Sequence, residues 1–453
     1  MPAVETYGVE PIPAELRTVR WRDLFAINFT FFLNPVMYVL GALAVVDGGL
    51  PLPWAIVAMV AGQAIAYALL VVVAQPGVDD GLPGQVAMRA TLGTWGARAL
   101  SSPYRLVVST YWFAAQALTA AFAIQAISAA LDLGRPPLIP VALAVAAFHA
   151  TLAVLGFDVM RYLLRVVLPI SVVLTAVLVG LFLAVDDARF AVGRVLDSPE
   201  QRFTWLGFAT YLTVMCGASL TLVTNVADFC RYTPTRRDMR IGFGTSALIA
   251  AAITTFVGGY AAAATGETNP FVAAAGLTSE VSVLLVLVVA IVVQGIAANV
   301  VNTYTAGMSV VNAVPRLGRL AATVLAAAVA VALSSFPDVI ESAQEWITHL
   351  GNVAAPLTGV VLADYLVVQR GRIDVAALFE KRGRYRYLRG VNVAAVGAIA
   401  AGVAVYYAVP DAWIKVLFGL AAGAGAYLVL AVALPAAGAP RPTQAASGGA
   451  NRH

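Results

Sequence analysis

Trp112 and Gln116 stand four residues apart in Tyr111-Trp112-Phe113-Ala114-Ala115-Gln116, a spacing that places both on one face of a helix. A flat indole beside an amide that both donates and accepts hydrogen bonds suits a planar ring with amide-like edges. The plainer alternative is a packing aromatic and an interhelical hydrogen bond. Further along, Asn299 and Asn302 share a face at i, i+3, in a stretch that also holds Gln294. Three carboxamides in one apolar run exceed what contact between helices usually requires, although interhelical amide bonding would account for them. His149 is an ionisable group well inside an apolar run, able to titrate near neutral pH or simply to pack. Asp228 and Asp364 fall at the ends of two runs, beside Arg231 and Arg370. They are candidates for ion coupling, with interfacial ion pairing as the alternative.

What is missing narrows the chemistry. No carboxylate, lysine or arginine is read at the centre of any run, which argues for a neutral cargo. Three histidines and two cysteines (Cys216 and Cys230) offer no metal-ligand cluster or disulfide framework. Gly242-Phe243-Gly244 lacks both the lysine and the preceding strand of a phosphate loop. No paired acid and base suggests an enzyme, and no cofactor is expected.

These residues must be positioned by elements suited to lipid. Of the 453 residues 60% are apolar and 11% charged, against roughly 25% charged in soluble domains. That balance excludes a soluble enzyme, a nucleic-acid binder and a disordered chain. Apolar runs fall near 24–46, 52–74, 104–130, 138–156, 162–185, 204–228, 241–264, 281–303, 319–335, 347–368, 391–408 and 412–436. Most reach the roughly 20 residues of a membrane helix, and they are too long and too uniform for barrel strands. With the N-terminus placed in the cytoplasm, all basic residues except Arg135, Arg189, Arg194, Arg202 and Lys415 fall on the inner side, as the positive-inside rule requires. The reading is an all-α membrane protein of about twelve spans in the cytoplasmic membrane, both termini inside. Residues 1–22 form a cytoplasmic segment with no signal peptide, 23–436 the transmembrane domain, and 437–453 a disordered tail. Neither nucleic acid nor an obligate protein partner is expected; the partners are the bilayer and a small planar substrate.

Twelve spans allow two oppositely directed groups of five, about 23–185 and 203–368, followed by two more at 391–436. Inverted repeats of this kind hold cargo near the midplane at broken helices. The leading span of each group carries the expected break. In the first it is Asn34-Pro35, because proline lacks an N–H and clashes with the preceding turn. In the sixth it is Cys216-Gly217-Ala218-Ser219, because glycine weakens a helix.

Five stretches then occur in order between about Trp21 and Tyr407. Gly81-Leu82-Pro83 with Arg89-Ala90 and Gly93 leads into the third span, which carries Trp112 and Gln116. Asn225-Val226-Ala227-Asp228-Phe229-Cys230-Arg231-Tyr232 follows the sixth. Asn302 to Gly307 lies on the eighth, and Pro356 to Tyr365 on the tenth. Together they resemble the nucleobase–cation symporter family 1, most closely its purine–cytosine permease branch. The resemblance implies the twelve-helix inverted-repeat fold of LeuT-type transporters. It also implies import of nucleobases or related rings (cytosine, purines, hydantoins, allantoin, uracil, vitamin precursors) with Na⁺ or H⁺. By that resemblance Trp112 stacks on the substrate, Gln116 reads its edge, Asn299 bonds it, Gly217 to Ser219 supply backbone groups, and Asn34 to Tyr38 close the pocket.

Two positions depart from the family. Where some members carry a second aromatic on the sixth span this chain has Ser219, so the sandwich is either one-sided or completed elsewhere, with Phe32 and Tyr38 as the candidates. Sodium-dependent members place hydroxyls on the eighth span five and six residues before the binding asparagine; here Gln294 and Val293 stand there. The expectation is therefore a proton-coupled importer of a neutral cytosine- or purine-like ring. The alternatives are a related ring with sodium coupling and, more remotely, a channel or a membrane sensor that does not transport.

Overall fold

The computed structural model describes residues 9–154, 157–197, 201–380 and 383–434, and at 157–165 the backbone alone. Residues 1–8 and the tail 437–453 lie outside the described residues. The described residues form an all-helical bundle. In chain order its principal helices are α1 (Trp21–Phe32), α2 (Pro35–Val46), α3 (Leu52–Val73), α4 (Gly84–Leu92), α5 (Ser102–Ala130), α6 (Leu138–Val154), α7 (Phe157–Ala184), α8 (Trp205–Leu220), α9 (Val226–Cys230), α10 (Arg236–Thr265), α11 (Val281–Ala313), α12 (Gly318–Leu333), α13 (Ala343–Ala363), α14 (Val393–Ala408) and α15 (Lys415–Ala433). Among the described residues nine helices are long and apolar enough to cross a membrane, α1 and α2 together make a bent tenth, and α6 and α14 are shorter apolar helices. Counted together they are twelve apolar helices, the number of apolar runs read from the sequence, of which the last two named are shorter than the other spans.

Burial sorts the spans into layers. In the apolar stretch of α8 83% of residues are buried and in that of α13 78%, against 22% for α12 and 28% for α15. The first two are therefore interior and the last two form the lipid-facing wall. Leu320, Val324, Leu325, Val329, Val429 and Val432 point outward there; exposed to water they would oppose folding, whereas lipid tails accept them without cost. Inside, α2 packs along α10, α8 along α3, and α5 along α11. The first two pairings are the matching contacts of the two inverted groups.

The first break falls where the sequence places it. α1 and α2 meet at 59°. Asn34 is extended (φ −134°, ψ 159°) and caps α2 by accepting from Met37 N, and Pro35 takes the first helical position, where its missing N–H costs nothing. The second break requires a correction. Cys216 to Ser219 are regular helix within α8; the unwinding comes later, through a 3₁₀ turn at Thr221–Thr224 and a non-helical Asn225 (φ −140°, ψ 2°) before α9. Gly217 is absent from the break because it serves packing: a Cβ there would lie 3.2 Å from the Cα of Gly351 on α13.

Candidate functional site

The two breaks converge on α5 and α11, and a cavity of ≈ 20 Å³ lies between them. That holds a water but not a ring, so a larger guest requires the lining side chains to part. α1 and α2 contribute Phe31, Phe32, Asn34 and Met37; α8 and its 3₁₀ turn contribute Ala218, Thr221 and Leu222. Arg105, Trp112 and Gln116 come from α5, and Ala298 and Asn302 from α11.

Gln116 and Asn34 act as a pair. Gln116 Nε2 donates to Asn34 Oδ1 at 2.6 Å, and its Oε1 accepts from Val36 N at 3.3 Å. Asn34 Oδ1 also accepts from Met37 N, and its Nδ2 donates to Phe31 O at 2.6 Å. The carbonyl end of α1 and the N–H end of α2 thus both find partners that a continuous helix would have supplied. A carboxamide can make four hydrogen bonds; Gln116 spends two on the break and keeps one lone pair and one N–H.

Trp112 lines the cavity at 8% exposure. Tyr111 meets its edge at 5.4 Å and 72°, and among the described residues no ring stacks on its face. Phe32, like Phe31, lines the same cavity. Tyr38 is not: its hydroxyl bonds Thr175 Oγ1 at 2.9 Å and its ring meets Phe271, behind the cavity. Ser219 likewise turns away and donates to Gln63 Oε1 at 2.5 Å.

Of the two asparagines read from the sequence, the structure brings Asn302 and not Asn299 to the cavity, and it adds a cation that the sequence reading did not single out. Asn302 lines the cavity. Asn299 instead donates to Phe113 O at 3.3 Å and to His149 Nδ1 at 2.9 Å. His149 Nε2 faces Val292 O at 3.1 Å, so the network assigns a neutral imidazole with its proton on Nε2. The ring fits because residue 295 is glycine: a Cβ there would stand 2.8 Å from His149 Cε1. His149 is thereby a packed, satisfied side chain outside the cavity.

Arg105, counted above with the loop charges, is 1% exposed and lines the cavity. Its Nε donates to Ser109 Oγ (2.7 Å), Nη1 to Asn225 Oδ1 (3.0 Å) and Thr221 O (3.3 Å), and Nη2 to Asn302 Oδ1 (3.4 Å). A buried charge survives only when hydrogen-bonded, and Arg105 meets that condition by holding the second break to α5 and α11. Asn302 Nδ2 is buried with no partner, so a donor remains beside the guanidinium. A signal for Arg105 existed: Arg105, Ser109, Trp112 and Gln116 follow i, i+4, i+7, i+11, one stripe of a helix.

The two carboxylates lie outside the cavity lining. Asp228 Oδ1 accepts from Gly84 N at 2.9 Å. Asp364 accepts from Thr91 Oγ1 (2.8 Å), Gln369 Nε2 (2.6 Å) and Tyr427 OH (2.7 Å). Neutral donors, rather than Arg370, therefore satisfy Asp364, and they lock α13 to α15 and to the α4 segment.

A family model described as permease for cytosine/purines, uracil, thiamine, allantoin matches residues 11–430. A hydantoin permease of Microbacterium maritypicum is 24% identical over 376 residues, 79% of this chain and 75% of that protein. A purine-uracil permease of Arabidopsis thaliana is 25% identical over 432 residues, 89% of this chain and 71% of that protein. Among solved structures, a nucleobase-cation-symport-1 family transporter in a closed conformation with bromovinylhydantoin bound superposes with a TM-score of 0.79. It is 21% identical and the match covers 96% of this chain and 97% of that one, a likeness of fold.

Proposed function

This chain belongs to the permease family for cytosine/purines, uracil, thiamine and allantoin, and on that premise we propose that it imports an uncharged nucleobase-type ring by alternating access, driven by protons. The observation that carries the reading is the stripe Arg105–Trp112–Gln116 facing two broken helices across one cavity. Trp112 offers a π-face, Gln116 and Asn34 an amide edge, and Asn302 with Arg105 a cluster of donors. A ring with carbonyl acceptors on one edge fits that set. The argument for neutrality changes with the structure: a cation lines the cavity after all, but protein oxygens of Ser109, Thr221, Asn225 and Asn302 engage it. A neutral oxo-ring therefore needs no further counter-charge, whereas a cationic ring meets repulsion.

Within this class we place cytosine and purines first, with hydantoin- or allantoin-like rings as the second reading. The inward orientation of the termini, in the cytoplasmic membrane, is supported by the basic residues that fall in alternate loops of the sequence. Proton coupling is favoured because hydroxyls are lacking in either register: counting back from Asn299 gives Gln294 and Val293, and from Asn302 gives Ala297 and Ile296. No cofactor, metal or protein partner enters the scheme. The test is uptake by cells lacking their own nucleobase transporters, across a ring panel, at two pH values with and without sodium. Saturable accumulation of an uncharged ring supports the reading. Uptake that neither saturates nor accumulates against a gradient would indicate a channel and overturn it.

A further inference from the structure

A second polar cavity lies at the basic end of the bundle, away from the central site. It has a volume of ≈ 570 Å³ and is bounded by Arg89 of α4, Arg98 before α5, and Arg386 and Arg389 before α14, with Trp95 and Phe379 on its walls. Four guanidinium groups on one crevice repel one another, and among the described residues none forms an ion pair with a carboxylate. Glu380 also lines the crevice, leaving an excess of three positive charges there.

Two features separate this crevice from ordinary loop charge. Arg89 is 6% exposed, a burial that a topological signal does not need. Its Nη2 donates to Asn312 Oδ1 at 2.6 Å, but its Nε is buried without a partner, as is that of Arg98. Burial, with Arg98 adding repulsion, lowers the Arg89 guanidinium to about 10. Buried donors without acceptors are costly, and an anion seated between them would remove that cost.

We propose that this crevice binds a phosphate anion, supplied by the headgroup of an anionic phospholipid. The chemistry fits because guanidinium groups recognise phosphate oxygens bidentately. The lipid source is favoured by the aromatic wall of the crevice itself: Trp95 lines it and is 59% exposed, an apolar surface beside a basic pocket. Tryptophan favours the membrane–water interface, and basic pockets at the ends of spans suit anionic headgroups.

The test uses the purified full-length chain in detergent, titrated separately with phosphatidylglycerol, phosphatidylcholine and inorganic phosphate. Retention is read by native mass spectrometry and stability by thermal melting. Phosphatidylglycerol should be retained and raise the melting temperature, while phosphatidylcholine should do neither. Each arginine removed should weaken retention about 5-fold, so Arg98→Gln/Arg386→Gln/Arg389→Gln should weaken it about 100-fold while leaving the lipid-free melting temperature near that of the parent. Glu380→Gln removes the opposing charge and should tighten retention, an outcome that misfolding cannot mimic. Equal retention of the two lipids with no stabilisation by inorganic phosphate, or a triple variant that holds phosphatidylglycerol like the parent, would overturn the site. Stabilisation by inorganic phosphate with no preference between lipids would overturn the lipid source.

Discussion

Gln116→Leu keeps the volume of the side chain and removes both of its hydrogen bonds to the first break. The Val36 N–H, fully buried, then loses its acceptor, which costs about 1–3 kcal/mol. The 2.6 Å bond to Asn34 Oδ1 is lost as well, at about 1 kcal/mol, although that oxygen keeps Met37 N. The sum is about 2–4 kcal/mol, or about 30- to 1000-fold in the population of the state that closes α1 and α2 onto α5. Uptake of the ring identified by the panel should therefore show a half-saturation raised by at least about 30-fold, with normal amounts of protein in the membrane. A double-mutant cycle with Asn34→Ala isolates the pair, and the coupling should be about 1 kcal/mol. Parent-like half-saturation for Gln116→Leu, or strict additivity in the cycle, would refute the assignment of Gln116 to the break.

Trp112→Ala should weaken substrate affinity by about 1–3 kcal/mol, the range for loss of a base-stacking aromatic, and Trp112→Phe should recover part of it; equilibrium binding of radiolabelled ring measures both. Asn302→Ala should raise half-saturation, whereas Asn299→Ala, which strips His149 of its donor, should instead lower the melting temperature. The reverse pattern would restore the assignment made from sequence. In membrane vesicles an inward proton gradient should drive accumulation and a sodium gradient alone should not, so accumulation that follows sodium and ignores pH would reject proton coupling. A cationic ring such as thiamine should fail to compete for uptake, and Arg105→Gln should relax that exclusion if the variant still inserts in the membrane.

Much of the architecture was legible along the chain because the bilayer constrains each segment separately. A span must be apolar over its own length, and basic residues sort by loop, so the twelve-helix reading required no knowledge of contacts. The break at Asn34-Pro35 was equally local: proline removes a donor wherever it sits, and asparagine caps the helix that follows. Trp112 and Gln116 were readable from a spacing on a single helix. What failed depended on rotation and on partners distant in sequence. Asn299 and Asn302 share a face only approximately, and the packing of α11 against α5 and His149 decided which of them meets the cavity. Gly217 looked like a hinge by propensity, but Gly351 claimed it for close packing, and the helix unwound at Thr221 to Asn225, where Arg105 satisfies the exposed oxygens. Arg105 itself looked like a loop charge because its burial is made tolerable by Thr221, Asn225 and Asn302, more than a hundred residues away along the chain. The one-dimensional sequence determined which segments lie in lipid and where the first helix breaks; only the folded bundle could decide which polar groups find one another inside it, since in a low-dielectric interior a polar side chain is stable only where its partner already stands.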